Sequence, residues 1–533
     1  MGMLKNKIDF SKAGIYIFFI TLLVFIFALG LSFNYLDHDL FSRLIAGYSV
    51  YNFGHVFYND VISYTPTHTW YDHEWLTSTF LYYIVQKFDS SGINVLKCLS
   101  AFFVIFFINL GIKQRLSKTG LSPYNIEFYG LILFVFANAS ILKFVFRCQS
   151  VTFILLAVWI YLLEKIRSGN EKLFILLPFI MLFWLNSHGG SLAGVGILLI
   201  YGIGEFLNKK PFKKYFITLI FVCLVYFINP WGADFITFTF QSAAIDRSLI
   251  REWMSPFQMD DPPLSHAYFV FLVVSCISYI SALFINKVKY STFDKTKLLL
   301  LLVTGYLSMT AVKHITLFVI VGSIFVYEDF YLIFNKLGGM ISSLLNNKKI
   351  DKYMLLAKNI LIYLAIYIYS LPAIANNPID TSYYHVVKAN YPLLAVEFMK
   401  VNNIKGKILC PYHYASYVAW HLYPDVKIYM DGREEQVYDR EIYDILMDYS
   451  DRTGNRYKLL EKYEPDIIMS SAYYDLSYEL LSTPDWVKIY DDGDTNIVVK
   501  RSMLKDEYKP VTKYTGVLYR EMFKDSYFFK NKN

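Results

Sequence analysis

The sequence predicts an α-helical polytopic membrane protein, with about 11 transmembrane helices, that continues into a soluble α/β domain. Three observations carry this prediction. Only 18% of the 533 residues are charged and 55% are hydrophobic, with a mean hydropathy of +0.35, whereas soluble chains hold about 25% charged residues. The deficit is concentrated before residue 376, where apolar runs of membrane-crossing length recur. Lysine and arginine cluster in alternate loops between those runs.

In order, the runs are Gly14–Phe33, Ile93–Ile112, Ile126–Leu142, Val151–Leu163, Leu173–Leu185, Ser191–Leu207, Tyr215–Ile228, Ala267–Ile285, Leu298–Val312, Ile315–Phe334 and Tyr353–Ala375. Several are shorter than the ~20 residues a crossing helix needs, and flanks rich in Tyr, Trp, Asn and Gly extend them through the interface. The first follows Lys5, Lys7 and Lys12 and exceeds the apolar core of a cleaved signal peptide, so it reads as an uncleaved span. Basic clusters at Lys113/Arg115/Lys118, Lys165/Arg167/Lys172, Lys209–Lys214, Lys287–Lys297 and Lys336–Lys352 all fall on the side of the N-terminal lysines. The positive-inside rule makes that side cytoplasmic. An odd number of spans then places the C-terminal domain outside, in a chain integral to the cell (plasma) membrane. The expected units are a transmembrane part, residues 1–376, with a first outer loop at 34–75, and an extracytoplasmic α/β domain at 377–533.

The net charge of +7 is spent on these topological clusters rather than on a continuous basic surface, which excludes a nucleic-acid partner. The five cysteines, Cys98, Cys148, Cys223, Cys276 and Cys410, have no metal-knuckle or CxxC spacing.

Polar residues gather at the outer ends of the spans. The first outer loop holds Asp37-His38-Asp39, Arg43 and Asp72-His73-Glu74-Trp75. Its stretch Leu40–Val50 has the apolar spacing of an interfacial amphipathic helix, and Trp75–Phe88 reads as a second one. Further along stand Arg147 and Gln149, Asn186 and His188, Asn229-Pro230-Trp231-Gly232, Arg251-Glu252-Trp253, and Lys313-His314. Taken singly, each has a plain structural reading: a solvated acid, a snorkelling cation, a helix cap, a turn. Together they put carboxylates, imidazoles and cations at one membrane face, and ionisable groups at such depth line polar cavities. That set suits chemistry on a phosphate-linked substrate. A carboxylate acts as a base or holds Mg or Mn, with Asp37 and Asp39 as metal ligands, while Arg, Lys and His bind the departing phosphate.

An Asp-x-Asp just after the first span, followed by interfacial helices in a long outer loop, resembles the GT-C superfamily of polytopic glycosyltransferases, and within it a bacterial GT-C-like group. The resemblance rests on Leu36–Leu76 with Gly47, Asp60–Thr65 and His73-Glu74-Trp75-Leu76. It extends to Arg147-x-Gln149, Trp184-x-Asn186-x-His188-Gly189, Asn229–Gly232, Glu252-Trp253 and Asp431-Gly432-Arg433. It implies a polyprenyl-phosphate sugar donor, with Asp39 and Asp37 carrying the catalysis. Arg147, Gln149, Asn186, His188, Glu252, Lys313, His314, His73 and Glu74 are the expected substrate-binding residues, the three cationic positions by inference from their place. The helix N-terminus at Asp39 is expected to favour its ionised form. No Trp-Trp-Asp signature of oligosaccharyltransferases occurs in the C-terminal domain, against en bloc asparagine glycosylation.

Beyond residue 377 strand-like and helix-like stretches alternate: Lys407–Cys410, Tyr412–His421, Val426–Met430, Pro465–Met469, then Val487–Asp491 and Asn496–Lys500 around the turn Asp492-Gly493-Asp494. Asp431–Glu435 follows a strand, where α/β domains bind ligands, and reads equally as a charged loop. There is no GxGxxG or P-loop. The expected function is a membrane glycosyltransferase moving a sugar to an extracytoplasmic glycan, lipid or protein acceptor, among membrane lipids. The alternatives are a transporter or flippase of a lipid-linked saccharide, or a catalytically silent assembly partner.

Overall fold

The computed structural model describes residues 37–117, 146–245, 251–259, 266–285, 293–329, 391–453, 457–471, 475–477, 479–511 and 526–529. The spans expected at Gly14–Phe33, Ile126–Leu142 and Tyr353–Ala375 lie outside these residues. Helix α1 (Leu40–Phe53) opens the described chain, and α2 (Trp75–Leu116) follows, kinked at Asp89, whose φ of 53° and ψ of −150° break the helical path. Then come α3 (Gln149–Arg167), α4 (Leu176–Leu185), α5 (Ser191–Leu207), α6 (Lys213–Leu224), α7 (Asp234–Ala244), α8 (His266–Ile285), α9 (Lys295–Thr310) and α10 (residues 315–329). Among the described residues, two segments, Ser91–Leu116 and Gln149–Arg167, are long and apolar enough to cross a membrane.

These helices are apolar on every side, which suits a core facing inward and a lipid-like medium facing outward. In α4, Leu177, Met181 and Trp184 are buried while Phe179 and Phe183 are exposed. Ile217, Ile220 and Phe221 on α6 and Ile277 and Phe284 on α8 are exposed in the same way.

One end of the bundle is closed by ion pairs. Arg115 on α2 meets Glu164 on α3 at 3.1 Å and Glu328 on α10 at 3.0 Å, and Arg167 meets Glu205 on α5 at 2.8 Å and Asp294 at 2.9 Å. Charges this buried are tolerable only when mutually paired. The network sits at the C-terminal end of α3. Gln149 at the other end is 18 residues away, about 27 Å along the axis at ~1.5 Å per residue.

Helix α1 corrects an expectation. It forms where the apolar spacing placed it, but Leu40 to Ser49 are all buried, so it is enclosed by α2 and the C-terminal domain rather than lying at an interface. An amphipathic surface helix buries one stripe; a helix buried all round has protein on all sides.

The C-terminal unit contains α11 (Leu393–Val401), β1 (Gly406–Leu409), α12 (Tyr412–Leu422), β2 (Val426–Ile428), α13 (Arg440–Asp451), α14 (Lys458–Tyr463), β3 (Ile467–Ser471), β4 (Trp486–Asp491) and β5 (Thr495–Lys500). The sheet order is β2-β1-β3-β5-β4, parallel across β1, β2 and β3 and antiparallel at β5 and β4. The β4–β5 hairpin turns at Gly493 with φ of 85°, while Asp492 accepts from the Asp494 and Thr495 amides. On the outer side of β2 the first loop adds a parallel bridge: Ser63 pairs with Ile428, the Tyr64 amide donates to Ile428 O, and the Ile428 amide donates to Ile62 O. Arg433 locks this junction. It is fully buried, paired with Asp431 at 2.8 Å and Asp60 at 2.6 Å, and lies over the Trp70 ring. The segment between α1 and α2 and the C-terminal unit therefore share one core.

Candidate functional site

The site begins at the turn before α1. Asp37 is 4% exposed and its Oδ1 accepts from the Asp39 amide at 3.1 Å. Asp39 occupies the N-cap position of α1 without using its side chain as a cap, so the carboxylate is left to face a cavity. Loss of water and then the neighbouring Asp37 push its carboxyl up to about 8, against the pull of Arg147 and Arg43. This corrects the expected effect of the helix N-terminus, which is outweighed. One turn on, Arg43 is buried between Asp72 and Glu74, each at 2.8 Å, and reaches Gln436 at 3.4 Å.

Cations face this acidic wall. Arg147 stands before α3; its Nε is paired with Asp37 and its Nη1 donates to Glu252. Lys313 lies in the turn between α9 and α10, with its ammonium 3.0 Å from the centroid of the Trp253 ring. His314 meets the edge of the same ring at 6.0 Å, and burial lowers its pKa, favouring the neutral ring.

His188 sits in the turn between α4 and α5. Its Nδ1 accepts from the Gly190 amide at 2.9 Å and is 2.9 Å from the Thr152 hydroxyl, which itself accepts from Trp184 Nε1 at 2.8 Å. That leaves the proton on Nε2, which points at Glu74 Oε1, 3.4 Å away. Burial lowers the His188 pKa to about 4, so the ring is neutral. The Gly190 amide makes Nδ1 the acceptor, and Trp184 holds the Thr152 hydroxyl beside it.

The C-terminal domain supplies a wall through Gly432, Glu434 and Gln436. In its Asp431–Glu435 segment Asp431 is structural, Gly432 and Glu434 border the cavity, and Arg433 both borders it and braces the junction through Asp431 and Asp60.

The cavity measures about 670 Å³. Asp37, Asp39, His73, Glu74, Arg147, Gln149, His188, Glu252, Lys313 and His314 all line it. Asn186 does not. Its side chain accepts from Trp75 Nε1 at 2.8 Å and donates to the Leu182 and Ile228 carbonyls, tying helix ends together behind the wall. Asn229 likewise closes its own Pro-Trp-Gly turn. Thr152 and Gln436 also line the site and escaped the sequence reading; Arg43 lines it too, and the sequence names it among the polar residues of the first loop without giving it a role at the site. Arg43 carried a usable signal, since it is four residues after Asp39 on one helix and is among the few cations of the outer loops. Below the polar rim the lining turns apolar: Phe153 and Leu156 from α3, Ile197 and Ile200 from α5, Leu307 from α9 and Leu317 from α10. From Ser191 to Ile200 this arm follows α5 for about 13 Å at ~1.5 Å per residue.

The acidic pair does not fit a divalent metal well. The Arg147 guanidinium takes up the Asp37 carboxylate, and the described residues contain no group of three or more His, Cys, Asp or Glu arranged to hold an ion. The positive charge beside Asp37 is that of Arg147.

No protein-family profile and no curated protein sequence matches the chain. Solved structures do. The oligosaccharyltransferase of Archaeoglobus fulgidus, solved with a tethered acceptor peptide, superposes with a TM-score of 0.54 at 10% identity, over 96% of this chain and 77% of its own. ArnT of Cupriavidus metallidurans, solved with undecaprenyl phosphate, superposes with a TM-score of 0.51 at 11% identity, over 93% of this chain and 99% of its own. The chain has the GT-C fold. At such identities the likeness concerns architecture, and a GT-C fold acquires its chemistry from the residues at its site.

Proposed function

We propose that the protein is a membrane glycosyltransferase that moves a sugar from a polyprenyl-phosphate carrier to a glycan, lipid or protein acceptor outside the cytoplasm. The supporting observation is the composition of one cavity: a carboxylate of raised pKa faces a set of cations at the mouth of an apolar arm. The arm suits a polyprenyl chain, and the rim suits its phosphate. The acceptor hydroxyl attacks the anomeric carbon and gives its proton to Asp39. The bond from that carbon to the phosphate oxygen breaks, and the polyprenyl phosphate leaves with the bonding pair. Arg147 and Lys313 offset the growing negative charge. A base with a pKa near the working pH contributes ~10²–10⁴-fold. Asp37 orients Arg147, while Arg43 and His188 hold Glu74 at the acceptor side.

The reading includes a bilayer around the helical bundle. The ~27 Å between Gln149 at the cavity and Arg167 in the ion-pair network matches a hydrocarbon core of about 30 Å. Eleven spans, with the network at the cytoplasmic face, satisfy the positive-inside rule.

The test is transfer from a polyprenyl-phosphate sugar by the purified full chain. Asp39→Asn should abolish transfer while expression and donor binding persist. Full turnover by the Asp37→Asn/Asp39→Asn protein would sink the mechanism.

A further inference from the structure

Glu252 and Trp253 touch the two cations of the rim, Arg147 and Lys313, and the imidazole of His314 in different ways. Glu252 Oε1 accepts from Arg147 Nη1. The Trp253 ring carries the Lys313 ammonium on its face, 3.0 Å from the centroid, and the His314 ring at its edge. The backbone around them is stitched to the Lys313 turn: the Val312 amide donates to Met254 O at 3.0 Å, and the Ser255 hydroxyl donates to Met309 O at 2.8 Å. Residues 252–255 and 309–314 therefore form one unit, and Glu252 ties that unit to Arg147 at the head of α3.

We propose that the Glu252-Trp253 pair is a positioning clamp that sets Arg147 and Lys313 at the spacing and orientation needed to grip a single phosphate, a diester in the donor and a monoester once the sugar has left. This rests on the polyprenyl-phosphate reading above. Arg147 is held through Nε by Asp37 and through Nη1 by Glu252, and neither bond engages Nη2. Two carboxylates thus fix the guanidinium plane and aim its remaining edge. A lysine ammonium on a flexible four-carbon stem has no such preferred direction. An indole face confines it by attraction to the ring quadrupole, which fixes where the charge stands. Preorganisation of this kind lowers the ordering cost of binding. It also requires an aromatic face at 253, where an apolar side chain of similar bulk fills the space without holding a cation. Both residues act through the cations they hold.

The experiment measures binding of a polyprenyl phosphate to the detergent-solubilised full chain, with inorganic phosphate as competitor. Trp253→Leu and Glu252→Ala should each weaken binding by about tenfold or more, and Trp253→Phe should keep it within about threefold of the parent. In the Lys313→Ala background, Trp253→Leu should add less than a further twofold, because the tryptophan acts through that lysine. Unchanged affinity in both Trp253→Leu and Glu252→Ala overturns the clamp while leaving the lipid-phosphate reading intact. Equal weakening by Trp253→Phe and Trp253→Leu, or full additivity with Lys313→Ala, also overturns it, since a structural filler behaves that way. If the parent protein fails to bind the polyprenyl phosphate, or inorganic phosphate displaces it at equal concentration, the donor reading fails and the clamp with it.

Discussion

The backbone of Gly432 lies directly against the carboxylate of Asp39: a Cβ placed on Gly432 would stand 2.5 Å from Asp39 Oδ1. A residue of the C-terminal domain thereby sets how far the proposed base can move. Gly432→Ala should displace that carboxylate and lower transfer by at least tenfold, with the melting temperature falling by only a few degrees. Activity and thermal unfolding of the same preparation check this, and an alanine variant of full activity would show that the contact is idle.

Asp37 holds the pKa of Asp39 up as well as orienting Arg147. The base must be deprotonated, so the rate should rise with pH, with a limb near pH 8. Removing the Asp37 charge lowers the Asp39 pKa, so Asp37→Asn should move the limb to lower pH while weakening donor binding. A pH–rate profile of each protein reads the shift, and a limb that moves upward would contradict the assignment.

Arg43 is the buried counter-ion of both Asp72 and Glu74. Arg43→Met should leave two carboxylates without their cation and destabilise the fold by about 3–5 kcal/mol. Denaturant or thermal unfolding in detergent measures it. Stability equal to the parent would mean that water reaches the pair.

A guanidinium already neutralises Asp37, so prolonged chelation should leave both donor binding and transfer unchanged. Activity lost on chelation and restored by Mg or Mn would replace Arg147 with an ion in that role.

Topology is open to direct labelling. New cysteines near Lys210 should react only from the cytoplasm, and those near Ser63 and Asp494 only from outside. Cytoplasmic labelling at Asp494 would overturn the odd number of spans.

Much of this protein was legible in its sequence because the physical signals are local. Apolar runs such as Ser191–Leu207 identify themselves by composition, and the strands around Lys407, Val426, Ile467 and Asn496 by alternation and turn residues. The gathering of polar residues at one set of helix ends pointed to Asp39, Arg147, His188 and Lys313 before any geometry was known. Tertiary structure alone decided which polar groups work as walls and which as ties. Asn186 has a side chain as polar as that of Gln149, but its partners are other parts of the framework, so it braces the cavity from behind. Only packing across hundreds of residues could bring Gly432 onto Asp39 and Gln436 onto Arg43. The raised pKa of Asp39 has a divided origin: the Asp-x-Asp motif already sets Asp37 beside it, but the larger cause, how much water the folded chain excludes, is encoded in no local pattern of residues.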